Sequence, residues 1–170
     1  MFKGINVKPY IIHAAMAALL YCLPVIFFLK YADYTLTWIL YVGNFLFLLV
    51  IALFLFTFNR RRDENAGTLV MLTASCITTV LGTIISVVLA LVLLVIFIPG
   101  LFQSGVPDKI LENGPAASIL DKSEGLIFLV ITNAIIANAV CGVFVSIIFP
   151  FAMKGDQTKE KVPKRKQAEL

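Results

Sequence analysis

The feature that most constrains this chain is an uncharged stretch at its centre, thirty-two residues from 68 to 99, TLVMLTASCITTVLGTIISVVLALVLLVIFIP. A bilayer's hydrocarbon core is about 30 Å thick, and a helix of about 20 apolar residues crosses it. The stretch is therefore long enough for a membrane span. Its first half carries seven Ser and Thr residues around Gly82, whereas its second half is apolar throughout. The polar half predicts contacts with other helices, and the apolar half tolerates lipid.

The composition indicates that the whole chain is an integral membrane protein. Hydrophobic residues make up 60% and charged residues 14% of the sequence, against about 45–50% and about 25% in soluble domains. Four apolar runs, at about 10–29, 34–58, 68–98 and 125–149, are each long enough to span. Within lipid the backbone must pair its own polar groups, and these runs are too few for a closed barrel. The predicted fold is all-α, a membrane four-helix bundle over residues 1–153, followed by a disordered basic cytoplasmic tail over 154–170.

The positions of the basic residues predict the orientation. Eleven Lys and Arg residues precede the first span, follow the second or follow the fourth, and three lie on the opposite side. By the positive-inside rule, both termini are expected in the cytoplasm, with the segment 100–124 outside and carrying two short helices. Arg60, Arg61 and Arg62 fit a positive-inside anchor and are also candidates for contact with an anionic lipid headgroup.

Residues with catalytic or metal-binding chemistry are scarce in the predicted spans. These spans hold no Asp, Glu, Lys or Arg, and an ionisable group at membrane depth is the usual indication of a transport or catalytic site. His13 has no Cys, Asp or Glu at ligand spacing, so a neutral, hydrogen-bonded histidine is expected rather than a metal ligand. The sequence also lacks phosphate-loop, HExxH and serine-elbow motifs. We therefore expect no catalytic residue, metal or cofactor, and no nucleic-acid partner, because the basic residues sit at span ends.

Small and polar residues recur every four positions on the third and fourth helices. Such residues let helix backbones approach closely in lipid, so they predict a packing seam between the two antiparallel helices. Depth matching sets Gly82 against Gly142 and predicts a hydrogen bond between Ser86 and Asn138. The amides of Asn133 and Asn138 either bond neighbouring helices, which we favour, or line a polar path. The predicted seam comprises Thr78, Gly82, Ser86 and Ala90 on the third helix and Ala134, Asn138, Gly142 and Ser146 on the fourth.

The four spans, the basic link after the second and the Ser/Thr-rich third span together resemble a layout found in small four-span bacterial membrane proteins of unknown function. The resemblance is one of topology and implies a bacterial inner membrane. The residues themselves favour a non-enzymatic accessory or interaction subunit of an inner-membrane assembly. Its expected partners are the lipid bilayer and either another membrane protein or a second copy. The alternative is a small oligomeric transporter or channel with a polar path lined by helices three and four; a membrane enzyme has the least support.

Overall fold

The structure, a computed structural model, describes residues 7–61, 68–98 and 125–157, and every element in these residues is helical. Four helices are long and apolar enough to cross a membrane, so the four-helix prediction is confirmed for the described part. The elements are α1 (Lys8–Tyr31), a 3₁₀ turn (Tyr34–Leu36), α2 (Trp38–Arg61), α3 (Thr68–Phe97), α4 (Gly125–Thr132), a π-helical segment (Asn133–Ala137) and α5 (Asn138–Gln157). The last three run end to end and form the fourth helix.

The link between α1 and α2 is built from local backbone contacts. Ala32 ends α1 in the left-handed conformation, with φ 51°, and its N–H donates to the Phe28 carbonyl oxygen at 2.8 Å. Oδ1 of Asp33 then accepts hydrogen bonds from the backbone N–H and the hydroxyl of Thr35, both at 2.9 Å. A short side-chain cap of this kind starts a new helical turn. The second span therefore opens with a 3₁₀ turn before α2 begins at Trp38.

The end of the fourth helix differs from the prediction. α5 continues past residue 149 to Gln157, so its last turn enters the stretch 154–170 that was predicted to be a disordered tail. Extending an existing helix costs far less than nucleating one, and this accounts for the overrun. The rest of that stretch, and the two short helices predicted within 100–124, lie outside the described residues.

The helices form a ring in which α1 and the fourth helix each pack against both α2 and α3. Aromatic side chains fill part of the contact between α1 and α2, where the half-buried rings of Tyr10 and His13 lie 5.5 Å and 5.1 Å from the buried Phe54 ring. α3 is the least buried helix, with 22% of its most apolar window inside the bundle. Among the described helices, α3 and the fourth helix are therefore the most exposed.

Candidate functional site

One group of polar side chains joins three helices near the bundle centre. Oδ1 of Asn133, at the start of the π-helical segment, accepts hydrogen bonds from the Tyr21 hydroxyl at 3.0 Å and from Nδ2 of Asn44 at 3.2 Å. Tyr21 and Asn44 are buried. These are interhelical bonds of the kind expected for Asn133. Tyr21 was not among the predicted residues, although a tyrosine inside an apolar span carries a hydroxyl that needs a partner when buried.

The eight residues of the predicted seam are all buried, but the predicted register is wrong. A Cβ on Gly142 would overlap Cγ2 of Thr79, and a Cβ on Gly82 would lie 3.0 Å from the Phe47 ring and 3.5 Å from the Ala14 carbonyl oxygen. Gly142 thus faces α3 at Thr79, whereas Gly82 faces α1 and α2. In a ring each helix has two neighbours, and a periodic stripe of small residues does not say which neighbour it meets.

The predicted hydrogen bond between Ser86 and Asn138 is also absent. Ser86 and Asn138 have no exposed surface, yet within the described helices neither Oγ of Ser86 nor either amide atom of Asn138 has a hydrogen-bond partner. The hydroxyls of Thr79 and Thr83 are unpaired there as well. An unpaired buried polar group costs about 1–3 kcal/mol. α3 and the fourth helix therefore both contain buried polar groups that have no hydrogen-bond partner.

Five other hydroxyls, on α2, α3 and α5, do have a partner. Each donates to a carbonyl oxygen of its own helix at 2.7 to 3.0 Å, the usual solution for Ser and Thr in a helix interior. The residues concerned are Thr57, Thr73, Ser75, Thr78 and Ser146. Among the described residues, the buried hydroxyls without a partner, those of Thr79, Thr83 and Ser86, all belong to α3.

A cleft opens outward between α3 and α5 at this place. Its volume is about 230 Å³, and we call it the α3–α5 cleft. It is lined by Cys76, Thr79, Val80, Thr83 and Ile84 of α3 and by Ala139 and Val143 of α5. The lining includes both threonines with unpaired hydroxyls, and Thr79 is only 3% exposed. A surface that combines an open apolar cleft with buried, unpaired hydroxyls is the strongest candidate for an interaction site.

The remaining candidate residues show no comparable arrangement. Nδ1 of His13 donates to the Pro9 carbonyl oxygen at 2.7 Å, the hydrogen-bonded state predicted for it, since a carbonyl only accepts. In the described ranges no three His, Cys, Asp or Glu side chains are grouped so as to hold a metal ion. The lipid-headgroup prediction for Arg60, Arg61 and Arg62 concerns side chains outside those described.

No family model, no curated protein and no solved structure matches this chain.

Proposed function

We propose that the protein is a non-enzymatic, multi-pass membrane protein that serves as an accessory or interaction subunit of an assembly in a bacterial inner membrane. The observation that carries the proposal is the α3–α5 cleft with its two unpaired threonine hydroxyls, Thr79 and Thr83. A helix of another subunit, packed in the cleft, would cover its largely apolar lining.

The outer surface supports the membrane placement. Large apolar side chains point outward from all four helices and are more than half exposed, among them Leu19, Leu53, Ile84 and Phe144. A soluble monomer rarely exposes apolar patches of more than a few hundred Å², so a surface of this kind belongs in lipid. The excess of basic residues at the termini and after the second span supports a cytoplasmic position for both ends.

The burial of Asn138 favours an interaction subunit over a transporter. A polar path would bring its lining amides into contact with water, whereas Asn138 has no exposed surface. Asn133, the other amide of the proposed path, is bonded to Tyr21 and Asn44. Asn133 thus serves a contact between helices, and two of the buried hydroxyls that have no partner, those of Thr79 and Thr83, line the α3–α5 cleft.

A photo-crosslinking experiment in native membranes tests the proposal. A photoreactive amino acid replaces Val80 at the rim of the α3–α5 cleft, and Val42 on the outer side of α2 is the matched control. We expect a crosslinked protein adduct from position 80 and none from position 42. Failure to form an adduct at position 80, together with purification as a lone monomer, would overturn the proposal. Reaction of an Asn138→Cys variant with a water-soluble maleimide would support the transport alternative instead.

A further inference from the structure

We infer that the π-helical segment of the fourth helix is a movable turn, which carries the amide of Asn138 between its buried position and the lining of the α3–α5 cleft. The described structure is the first state. In the second state the wide turn lies closer to the C-terminus, and the Asn138 amide hydrogen-bonds the Thr83 hydroxyl of the same chain. Neither state requires another subunit.

The amide of Asn138 has no partner in the first state. Asn138 has no exposed surface, and neither its side-chain oxygen nor its nitrogen is hydrogen-bonded among the described residues. Two buried polar atoms thus keep their full desolvation penalty. Ala137 is half-buried, and Ala139 lines the cleft. A shift of one residue would therefore replace the buried amide by the methyl group of Ala137, which needs no partner.

The π-helical segment supplies a shift of this size. A π turn closes on the fifth following residue, and an α turn closes on the fourth. The segment begins at Asn133, so the chain makes a turn of five residues to Asn138 and then a turn of four residues to Gly142. The same nine residues also fit as a turn of four followed by a turn of five. In that arrangement Ala137 takes the buried position of Asn138, and Asn138 takes the position of Ala139.

The contacts at the two ends of this stretch are the same in both states. Asn133 keeps its two hydrogen bonds, and Gly142 keeps its close approach to Thr79. Only the turn between them moves. Its large apolar side chains, Ile135 and Ile136, point outward and are 46% and 58% exposed. The rearrangement therefore disturbs little of the buried core.

The cleft has room for the amide. Its volume is about 230 Å³, and Ala139 is the smallest residue of its lining. Gly142 lies against Thr79, and the two helices run in opposite directions, so a residue one turn earlier on α5 is level with a residue one turn later on α3. Asn138 is therefore level with Thr83, which also lines the cleft.

Thr83 can meet the amide after a rotation of its own side chain. In the first state its hydroxyl is covered and has no partner among the described residues. A threonine in a helix has two favourable χ1 rotamers. Rotation about χ1 exchanges its methyl group and its hydroxyl, and so turns the hydroxyl toward the cleft. A hydroxyl both donates and accepts, so either atom of the Asn138 amide can pair with it.

The movement changes the chemistry of the α3–α5 cleft. In the first state the α5 side of the cleft consists of Ala139 and Val143, which are both apolar. In the second state the Asn138 amide lies beside Val143, and the amide atom that is not bonded to Thr83 can accept or donate a further hydrogen bond. The segment thus switches one wall of the cleft between an apolar and a polar surface.

NMR relaxation dispersion on the full chain in lipid nanodiscs tests the movement, because helix register shifts occur in microseconds to milliseconds. We expect exchange at the backbone amides of residues 134–139, with a minor population in the range of about 0.1–10%. Asn138→Leu should abolish this exchange, because leucine gains no hydrogen bond on leaving the buried position. Thr83→Val removes one hydrogen bond from the second state and should lower its population about threefold.

Thr73→Val is the matched control on α3. The Thr73 hydroxyl already donates to the Leu69 carbonyl oxygen at 2.8 Å, so this variant should leave the minor population unchanged. Circular dichroism should show all variants equally helical. An absence of exchange at residues 134–139, or exchange that persists in Asn138→Leu, would overturn the movable turn. Equal effects of Thr73→Val and Thr83→Val would overturn Thr83 as the partner. Crosslinking from position 80 decides the proposed function independently of these results.

Discussion

Replacing Gly142 with alanine tests the closest approach between α3 and α5. The new methyl group would overlap Cγ2 of Thr79 and lie 2.6 Å from its hydroxyl oxygen and 2.9 Å from its Cβ. Thr79 is buried and β-branched, so it cannot swing aside without moving α3. Overpacking of this kind costs up to about 3 kcal/mol, and the better helix propensity of alanine returns about 1 kcal/mol. We expect a net loss of about 2 kcal/mol in the free energy of unfolding.

A second substitution shows whether the loss comes from this contact. Thr79→Ala removes the two atoms nearest the new methyl group, so it should restore most of the stability of Gly142→Ala. In a double-mutant cycle the two changes should couple by about 1–2 kcal/mol. The measurement is reversible unfolding in mixed micelles, followed by circular dichroism. Gly82→Ala is the control, because the atoms nearest its methyl group belong to the Phe47 ring, at 3.0 Å, and a ring edge can move by a few tenths of an ångström. Additive effects, or an equal loss from Gly82→Ala, would refute the register described for α3 and α5.

The polar residues and the charges support three further predictions. Tyr21→Phe removes one hydrogen bond and should lower the free energy of unfolding by about 0.6 kcal/mol. Asn133→Leu leaves two buried donors unpaired and should cost about 2 kcal/mol in the same unfolding assay. Equal losses would contradict the assignment of Asn133 Oδ1 as the acceptor of both hydrogen bonds. Asn138→Leu should leave stability unchanged or raise it by about 1 kcal/mol, because its amide is unpaired within the described helices, and a loss as large as that of Asn133→Leu would show that the amide is bonded. A cysteine at Ser118 should react with an impermeant maleimide from outside the cell and one at Gln157 only after permeabilisation; the reverse pattern would overturn the orientation.

The sequence predicted the helices well and their partners poorly, for physical reasons. Long uncharged runs leave few alternatives to a helix, so the third span was placed within one residue of its observed end at Phe97. The burial of Gly82 and Gly142 also followed from their four-residue spacing. Their pairing did not, because the spacing is the same whether the facing helix is α1 or α5. That choice depends on Phe47 and Thr79, which fill the space beside each glycine and belong to no periodic pattern.

The wrong prediction of a hydrogen bond between Ser86 and Asn138 has a different origin. Ser86 and Asn138 are both buried, and residue type alone suggests that they bond. Whether two buried polar groups meet depends on the rotation of each helix about its axis, and a helix turns by about 100° per residue. An error of a fraction of a residue in register is enough to separate an amide from a hydroxyl. Pairing of side chains across helices is therefore the least predictable level of this fold.

The π-helical segment Asn133–Ala137 sets the phase of the fourth helix. Buried residues recur every fourth position from Leu126 to Ser146, and at about 100° per residue such a series drifts by about 40° at each step, or about 200° over five steps. On a straight α-helix the two ends of the series would face nearly opposite directions. A π turn holds one residue more than an α turn and takes back about 100° of this drift. The segment thus adjusts the rotational register of the two halves of the fourth helix. Deleting a single residue from it would rotate one half relative to the other and turn the buried side chains of that half out of the bundle.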